Sequence, residues 1–255
     1  MKSALELWSE TFALRSYEVD RHGRASLPTI CNWLQETAGI HAERLGWSVH
    51  ELGERGLTWV LARLRLRLDR PVAWGETVRV ETWPAGAHRV FALRDFRLTT
   101  GGGERVGVAT TCWMLMNVAS RRPVRPPQEL EELEARSPGR ALVDDMAKLP
   151  EVVEPLSERV LEVRHADLDV NGHANNVAVI GWALEALDAA ALERVPAELA
   201  VEFRAEATRG DVITCRAGGV AHDPMVLAHS LIRRSDAREI ARARTTWLPQ
   251  VPGTA

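Results

Sequence analysis

The sequence predicts an α+β protein built from two tandem units, each with one long helix and an antiparallel sheet. Two observations carry this prediction. Within residues 59–70, leucines at 64, 66 and 68 alternate with arginines at 63, 65 and 67. This is the period of a strand with one buried and one wet face, and such strands are typical of antiparallel sheets. The second half of the chain repeats the order of residue types in the first half, so each half is expected to be a unit of the same kind.

The composition is that of a globular protein with a hydrophobic core: 255 residues, 45% hydrophobic and 26% charged. A net charge of −3 argues against general nucleic-acid binding, which needs a strongly basic face. No apolar run approaches the roughly 20 residues of a membrane span, and the opening residues lack the apolar stretch of a signal peptide. Cys31, Cys112 and Cys215 are far apart, so we expect free buried thiols, no metal site and a cytoplasmic location.

The first half is predicted to begin with a short strand from Thr11 to Tyr17. A helix follows from Ala25 to Leu45, with Pro28 in its first turn and Gly46 as its stop. Four strands come next, the second and third separated by a turn at residues 84–86. These strands are expected at residues 59–70, 77–83, 88–99 and 106–118.

Residues 119–155 differ in composition from the strands before them. The segment carries six prolines and an acidic run from Glu129 to Glu134. We interpret it as a linker between two halves. The predicted organisation is therefore an N-terminal domain at residues 1–120, a linker at 121–156 and a C-terminal domain at 157–255.

The internal repeat is visible as matched residues at nearly constant offsets. Setting Arg15 against Arg164 gives an offset of 149 residues (164 − 15). The same offset aligns Asp20 with Asp169, Gly23 with Gly172, Trp33 with Trp182 and Glu36 with Glu185. Further on the offset becomes 135 (210 − 75), which aligns Gly75 with Gly210, and then 134 (247 − 113), which aligns Trp113 with Trp247. A shorter loop in the second half accounts for the change.

The stretch from Val163 to Leu187 concentrates more polar side chains than a surface turn needs. Six of them fall within ten positions: Asp167, Asp169, Asn171, His173, Asn175 and Asn176. An apolar run of helical spacing follows at once. Asn175 and Asn176 suit the N-cap of that helix, whose free N–H groups and positive dipole end can serve as an oxyanion site. Asp167 is matched by Glu18 in the first half, so a structural role is expected for it.

Residues 167–177, DLDVNGHANNV, resemble the DLDVNxHxNN motif of acyl-acyl-carrier-protein thioesterases. Residues 201–206, VEFRAE, are similar to the LEYRRE stretch of that family, and the two motifs lie in the same order. The resemblance covers nearly the whole chain. It implies a tandem, double-hotdog fold, in which a curved antiparallel sheet wraps a long helix in each half.

The resemblance also implies an activity, the hydrolysis of fatty acyl-carrier-protein thioesters, with Asp169, Asn171, His173 and Glu206 as catalytic residues. Such a reaction needs an activated water, a polarised carbonyl and a stabilised oxyanion. Glu206 is the candidate base, because a carboxylate partly desolvated beside an apolar tunnel can have a raised pKa. His173 can order the water or help to deprotonate it. Asn171 can donate to the carbonyl, while Asp169 can orient its neighbours or act as a base itself.

Two features of the second motif bear on this assignment. Strict strand alternation places Glu206 on the face opposite Val201 and Phe203, unless a bulge intervenes. Ala207 stands where many plant members have a cysteine, so a cysteine nucleophile is not available there.

The first half is expected to have no active site of its own. Asp20 is kept opposite Asp169, but His22 lies opposite Asn171 and Arg24 opposite His173. In the resembling family this half houses the acyl chain. The candidate acyl pocket is therefore one face of the first helix, Ile30, Trp33, Leu34 and Ala38, although core packing explains each of them equally well.

The implied partners are a fatty acyl thioester and the acyl carrier protein, which is acidic and so requires a basic docking surface. Arg121, Arg122 and Arg125 at the linker are the candidates, whereas the arginines at 63, 65 and 67 are more simply a solvated strand face. No metal or diffusible cofactor is required, because the pantetheine arm arrives with the substrate. Further pairing into a homodimer is left open.

Three alternative functions are consistent with the same residues. An acyl-CoA thioesterase would use the same chemistry, and the absence of a glycine-rich phosphate loop is weak evidence against it. A hotdog dehydratase or hydratase would move protons with an Asp/His pair, but the spacing of the loop residues and Glu206 favour hydrolysis. A non-catalytic acyl-binding module would be expected to lose both loops, and only the first loop is degenerate.

Overall fold

The computed structural model describes residues 7–129, 132, 137–220 and 223–249. The chain divides into two compact units, residues 1–145 and 146–255, at a boundary that falls within the predicted linker. Each unit contains one long helix packed on an antiparallel sheet, which confirms the α+β class and the tandem arrangement.

Among its described residues, the first unit contains two helices and six strands. Its elements are β1 (Trp8–Ala13), α1 (Leu27–Arg44), α2 (Val49–Glu54), β2 (Leu57–Leu68), β3 (Thr77–His88), β4 (Phe91–Thr100), β5 (Arg105–Asn117) and β6 (Arg122–Val124). The strands pair antiparallel in the order β1-β3-β4-β5-β2, with β6 added to β5. Helix α1 packs on β1 and β3, and its buried face forms the core of the unit.

The second unit repeats this plan with shorter helices. Its elements are β7 (Ser157–Glu162), a 3₁₀ turn (His165–Asp167), α3 (Asn176–Glu185), α4 (Ala189–Leu192), β8 (Val195–Phe203), β9 (Val212–Val220), β10 (Asp223–Arg233) and β11 (Arg238–Leu248). The strands pair antiparallel in the order β8-β11-β10-β9-β7. Helix α3 packs on β9 and β10.

Helix α1 begins and ends where its sequence indicates. Ser26 is the N-cap, and its hydroxyl accepts the backbone N–H of Thr29 at 3.1 Å, with Pro28 in the first turn. Gly46 follows the helix with φ of 76°, a left-handed conformation that glycine adopts without strain. The predicted helix is confirmed to within two residues at its start and one at its end.

Two predicted boundaries in the first half are wrong. The first strand is β1, Trp8–Ala13, rather than Thr11 to Tyr17, because the chain turns where the backbone N–H of Arg15 donates to the Glu18 carboxylate at 2.8 Å. Residues 84–86 do not form the turn between two strands. They lie inside β3, where the register shifts by a bulge, and the hairpin turn follows at Arg89, whose φ is 56°.

Arg63 does not belong to a solvated strand face. It is 6% exposed, and its Nε donates to Oδ2 of Asp144 at 2.6 Å. The alternation of β2 fails here because the register with β5 shifts between Leu61 and Arg63. Asp144 comes from the predicted linker, so this part of the segment packs on the first unit.

The three cysteines are free and buried, as expected. Burial raises the pKa of each thiol to about 12, so all three stay protonated at neutral pH. Among the described residues, no helix is long and apolar enough to cross a membrane.

Candidate active site

The loop before α3 is organised by the side chain of Asp169. Its Oδ1 accepts the backbone N–H of Asn171 at 2.8 Å and that of His173 at 3.2 Å. The backbone closes the same turn, since the N–H of Asp169 donates to the carbonyl of His173 at 2.7 Å. Gly172 takes the left-handed φ of 76° that this tight turn requires. Asp169 therefore shapes the loop and presents the His173 side chain.

The first unit builds the same loop around Asp20. The Oδ1 of Asp20 accepts the N–H groups of His22 and Arg24 at 2.8 and 3.0 Å, and Gly23 has φ of 71°. The Arg24 side chain folds back, and its Nε donates to Oδ2 of Asp20 at 2.9 Å. The carboxylate is thus a feature of both loops, whereas Asn171 and His173 belong to the second loop alone. This pattern shows that the carboxylate has a structural function in both loops.

Asp167 is also structural, as its match with Glu18 predicts. The carboxylate of Asp167 accepts the backbone N–H of Arg164 at 2.8 Å, just as Glu18 accepts that of Arg15. The side chain of Arg164 donates to the same carboxylate, which lowers the pKa of Asp167 below its usual value.

Helix α3 starts directly behind the loop. Asn175 is its N-cap, with its side-chain oxygen accepting the N–H of Val177 at 2.8 Å, and Asn176 is the first helical residue. The backbone N–H groups of Asn176 and Ala178 make no hydrogen bond within the described parts of the chain. They are therefore available at the positive end of the helix dipole for a developing oxyanion.

Glu206 lies beyond the end of β8, which removes the conflict with strand alternation. The strand ends at Phe203, and the N–H groups of Arg204 and Ala205 both donate to the carbonyl of Ile240. This irregular step means that the side-chain alternation of β8 does not extend to Glu206. The following residues pair with the loop, since the N–H of Ala174 donates to the carbonyl of Ala207 at 2.8 Å.

The two segments bring His173 and Glu206 together. Nε2 of His173 lies 3.7 Å from Oε2 of Glu206, and the two side chains are 37% and 42% exposed. Both side chains are therefore partly exposed to solvent. The pair lies beside the segment that leads into α3, where solvent reaches both side chains.

The first unit lacks the carboxylate as well as the histidine. In the first unit the backbone N–H of Ala25 donates to the carbonyl of Val72, as Ala174 donates to Ala207 in the second unit. Val72 therefore corresponds to Ala207, at the repeat offset of 135 residues (207 − 72). Pro71 therefore stands where Glu206 lies in the second unit (206 − 135 = 71).

Arg233 is a residue of this site that the sequence did not reveal. Its Nη1 donates to the backbone carbonyl of Glu206 at 2.8 Å. Nε and Nη2 of Arg233 form two hydrogen bonds with the carboxylate of Asp236, at 3.0 and 2.7 Å, which fixes the guanidinium. Arg233 thus holds the backbone of the segment that carries Glu206, from a position 27 residues along the chain.

The other predicted residues differ in their local surroundings. Asn171 is exposed, and its side chain makes no hydrogen bond within the described residues. The four candidate acyl-pocket residues are all buried on α1, with Trp33 stacked on Phe12 at 5.5 Å between ring centroids. Arg121, Arg122 and Arg125 are exposed at β6. Within the described ranges, no three His, Cys, Asp or Glu side chains are grouped so as to hold a metal ion.

Comparison with known proteins identifies the class to which this architecture belongs. The structure superposes on the 12:0-acyl-carrier-protein thioesterase from Umbellularia californica with a TM-score of 0.84 and 30% identity, covering 96% of this chain and 95% of the other. It superposes on an acyl-carrier-protein thioesterase from Bacteroides thetaiotaomicron with a TM-score of 0.85 and 23% identity, covering 95% and 98% of the two chains. The fold is thus the double hotdog.

The sequence comparison gives the family. A family model described as the acyl-ACP thioesterase N-terminal domain matches residues 6–133, and the corresponding C-terminal model matches residues 151–249. The chain belongs to the acyl-ACP thioesterase family.

Curated relatives from Arabidopsis thaliana include two thioesterases with different names. The palmitoyl-acyl carrier protein thioesterase is 32% identical over 97% of this chain, and the chain spans 65% of its length. The oleoyl-acyl carrier protein thioesterase 1 is 30% identical over 94% of this chain, and the chain spans 75% of that relative.

Proposed function

We propose that this protein hydrolyses fatty acyl-carrier-protein thioesters to free fatty acid and the carrier thiol. The observation that carries the proposal is the approach of His173 to Glu206, 3.7 Å between Nε2 and Oε2, at the N-terminal end of α3. Membership of the family and the names of its relatives support the substrate class. Hydrolysis at this site would end fatty acid synthesis by releasing the chain from its carrier.

The first chemical step uses the paired side chains to activate water. A water molecule that contacts both side chains donates one hydrogen to the Glu206 carboxylate and contacts the imidazole of His173. Glu206 takes its proton as the oxygen attacks the thioester carbonyl carbon. His173 can share the proton through Nε2, which lies beside the carboxylate. The product of this step is a tetrahedral intermediate with a negatively charged oxygen.

The second step needs stabilisation of that oxygen and protonation of the sulfur. The N–H groups of Asn176 and Ala178 make no hydrogen bond within the described residues, so they can donate to the oxyanion, assisted by the Asn171 amide. Collapse of the intermediate breaks the carbon–sulfur bond. The leaving thiolate takes up the proton held by Glu206 and His173, which restores the site.

The acyl chain is assigned to the first unit, along the face of α1 that carries Ile30, Trp33, Leu34 and Ala38. Ile30, Leu34 and Ala38 form a continuous apolar stripe, whereas the stacking of Trp33 on Phe12 favours core packing for that residue. An apolar stripe of this kind can accept a hydrocarbon chain if the helix and sheet separate slightly.

The carrier protein is assigned to the basic surface at β6. Arg121, Arg122 and Arg125 are exposed within five residues of one another. Arg125 and Arg55 also line a cleft of about 640 Å³ in the first unit. Complementary charge would speed the encounter with an acidic carrier and make it sensitive to salt. The proposal includes a cytoplasmic location, no diffusible cofactor, and either a monomer or a homodimer.

A panel of acyl thioesters tests this proposal directly. Purified protein is assayed with carrier-protein and CoA thioesters across a range of chain lengths, with release of the thiol as the readout. We expect turnover, with kcat/KM higher for the carrier-protein thioester than for the CoA thioester of the same chain. Turnover of CoA thioesters alone would move the assignment to the acyl-CoA class. No turnover of any thioester would refute the hydrolase function.

A further inference from the structure

The buried face of α1 carries apolar residues at Ile30, Leu34 and Ala38 and a polar residue, His41, near its C-terminal end. Thr37 also lies on this face, but its hydroxyl donates to the backbone carbonyl of Trp33 at 2.7 Å. Ile30, Leu34, Ala38 and His41 are spaced four, four and three residues apart, so they lie along one side of the helix. All four are buried. From Ile30 to His41 this stripe extends about 16 Å along the helix axis. The apolar stripe assigned to the acyl chain therefore ends at a polar group.

His41 is bonded to an arginine of the sheet. Nη1 of Arg94, on β4, donates to Nδ1 of His41 at 2.9 Å and to the hydroxyl of Thr82 at 3.3 Å. Arginine can only donate, so Nδ1 of His41 is unprotonated and its proton is carried by Nε2. Burial and the charge of Arg94 lower the pKa of His41 to about 3, so the imidazole is neutral at neutral pH. Burial lowers the pKa of Arg94 to about 10, which leaves the guanidinium charged.

Arg94 has no acidic partner among the described residues. Its side-chain hydrogen bonds go to two neutral groups and use one nitrogen, which leaves the N–H groups of Nε and Nη2 without a protein acceptor in the described chain. Two other arginines of this unit do have acidic partners: Arg63 pairs with Asp144, and Arg140 pairs with Asp95. Arg94 is half-buried, so the unused donors retain access to a ligand.

The second unit shows that the fold does not need a cation at this position. Arg94 lies opposite Thr111 of β5 and Pro84 of β3. Leu227 lies opposite Thr245 of β11 and Gly219 of β9. Thr245 lies 134 residues after Thr111 (245 − 111), and Gly219 lies 135 residues after Pro84 (219 − 84). These are the offsets at which the second half of the chain repeats the first. An apolar leucine therefore occupies the register position that corresponds to Arg94.

We propose that Arg94 and His41 bind an oxygen at the far end of the acyl chain, so that the protein selects acyl groups with a terminal hydroxyl or carboxylate. This inference rests on the proposed thioesterase function and on the placement of the chain along α1. The free N–H groups of Arg94 would donate to the terminal oxygen, and Nε2 of His41 can add a further donor. A methyl end placed there would instead strip water from a charged group without replacing its hydrogen bonds.

Binding measurements test the inference without requiring turnover. Straight-chain fatty acids, ω-hydroxy fatty acids and α,ω-dicarboxylic acids of equal length are titrated into the full-length protein by calorimetry. We expect the two acids with an oxygenated end to bind at least tenfold more tightly than the plain fatty acid. The difference in affinity between the ω-hydroxy acid and the dicarboxylic acid shows whether a hydroxyl or a carboxylate oxygen is preferred.

The variant Arg94→Leu copies the residue of the second unit. It should bind the plain fatty acid as tightly as the oxygenated acids, or more tightly. Arg97→Leu is the matched control, because Arg97 lies on the same strand but stacks over Trp83 and approaches Glu81. It should keep the wild-type preference. Arg94→Gln, which keeps a polar side chain, gives a second test if Arg94→Leu unfolds, and it should show a reduced preference.

Turnover separates this inference from the proposed function. With thioesters of the same three chain types, we expect wild-type kcat/KM to favour oxygenated ends and Arg94→Leu to favour methyl ends. A wild-type preference for methyl ends, or a preference that neither Arg94 variant alters, would overturn the inference while leaving the hydrolase assignment intact. If the protein binds oxygenated fatty acids selectively but hydrolyses no thioester, the proposed function is refuted. The assignment of Arg94 and His41 to the oxygenated chain end would then remain.

Discussion

The imidazole of His173 and the carboxylate of Glu206 approach to 3.7 Å although 33 residues separate them (206 − 173). Each side chain is delivered by an irregular segment: His173 by a loop closed on Asp169, and Glu206 by the residues after β8. The two segments are joined by a single backbone bridge between His173 and Thr208 and by the bond from Ala174 to Ala207. The site therefore depends on loop geometry more than on the sheet itself.

Replacing either member of this pair should reduce turnover without unfolding the protein. Glu206→Gln keeps the size of the side chain but removes the base, and His173→Ala removes the imidazole. General acid–base catalysis contributes roughly 10²–10⁴-fold, so we expect losses of kcat in that range. Glu162→Gln, on the exposed part of β7, is the control and should keep wild-type kcat. Wild-type turnover in both site variants would refute the assignment.

Asp169 gives a test that separates a base from a structural acceptor. Asp169→Asn keeps a side-chain oxygen that can accept the N–H groups of Asn171 and His173, but cannot take a proton. We expect this variant to retain most of the activity. Asp169→Ala loses both hydrogen bonds, each worth about 0.5–1.5 kcal/mol, and should lose activity together with stability.

The equivalent change in the first unit is the control for Asp169. Asp20→Ala removes the carboxylate that accepts the corresponding pair of backbone N–H groups, and it should lower the free energy of unfolding without a comparable loss of kcat. Denaturant unfolding and steady-state kinetics on the four proteins decide the question. A loss of kcat by orders of magnitude in Asp169→Asn, with unchanged stability, would assign Asp169 the role of base instead.

Much of this arrangement could be predicted from local sequence, and the rest depends on distant contacts. The repeat, helix α1, the N-cap at Asn175 and the structural role of Asp167 follow from short-range patterns. The burial of Arg63 does not, because its partner Asp144 is 81 residues away. The side on which Glu206 lies depends on the two amides that share the carbonyl of Ile240, and alternation cannot reveal that.

Arg233 should act as a positioning residue for Glu206. Arg233→Met removes the hydrogen bond to the Glu206 carbonyl and the two bonds to Asp236, while keeping a long side chain. Looser placement of the proposed base should lower kcat by about tenfold or more. We expect little change in KM, because the acyl chain is proposed to bind along α1. Arg233→Lys can restore the contact to the carbonyl and should recover part of the loss.

The control is Arg238→Ala, at a nearby exposed position, which should match wild type in both kcat and KM. An equal loss of stability and kcat in Arg233→Met and Arg238→Ala would contradict a positioning role for Arg233.

Two buried histidines should make the protein less stable as the pH falls. In the second unit His229 contacts the carbonyl of Ala183 at 3.0 Å and the hydroxyl of Thr245 at 2.8 Å, and burial lowers its pKa from 6.5 to about 4. Between these two values the unfolded chain binds a proton that the folded chain does not, so the free energy of unfolding must decrease as the pH drops from 6.5 towards 4. At 1.36 kcal/mol per pKa unit this amounts to about 3 kcal/mol for His229, and His41, whose pKa is about 3, adds to the same trend.

His229→Gln tests this pH dependence, because glutamine does not titrate and can still both donate and accept hydrogen bonds. The variant should be less stable than wild type at pH 7, but its free energy of unfolding should decrease less steeply between pH 6.5 and 4. Urea unfolding at several pH values measures both slopes. The exposed His50 is the control, since His50→Gln should leave the wild-type slope unchanged. Identical slopes for wild type and His229→Gln would show that His229 does not contribute to the acid sensitivity of the fold.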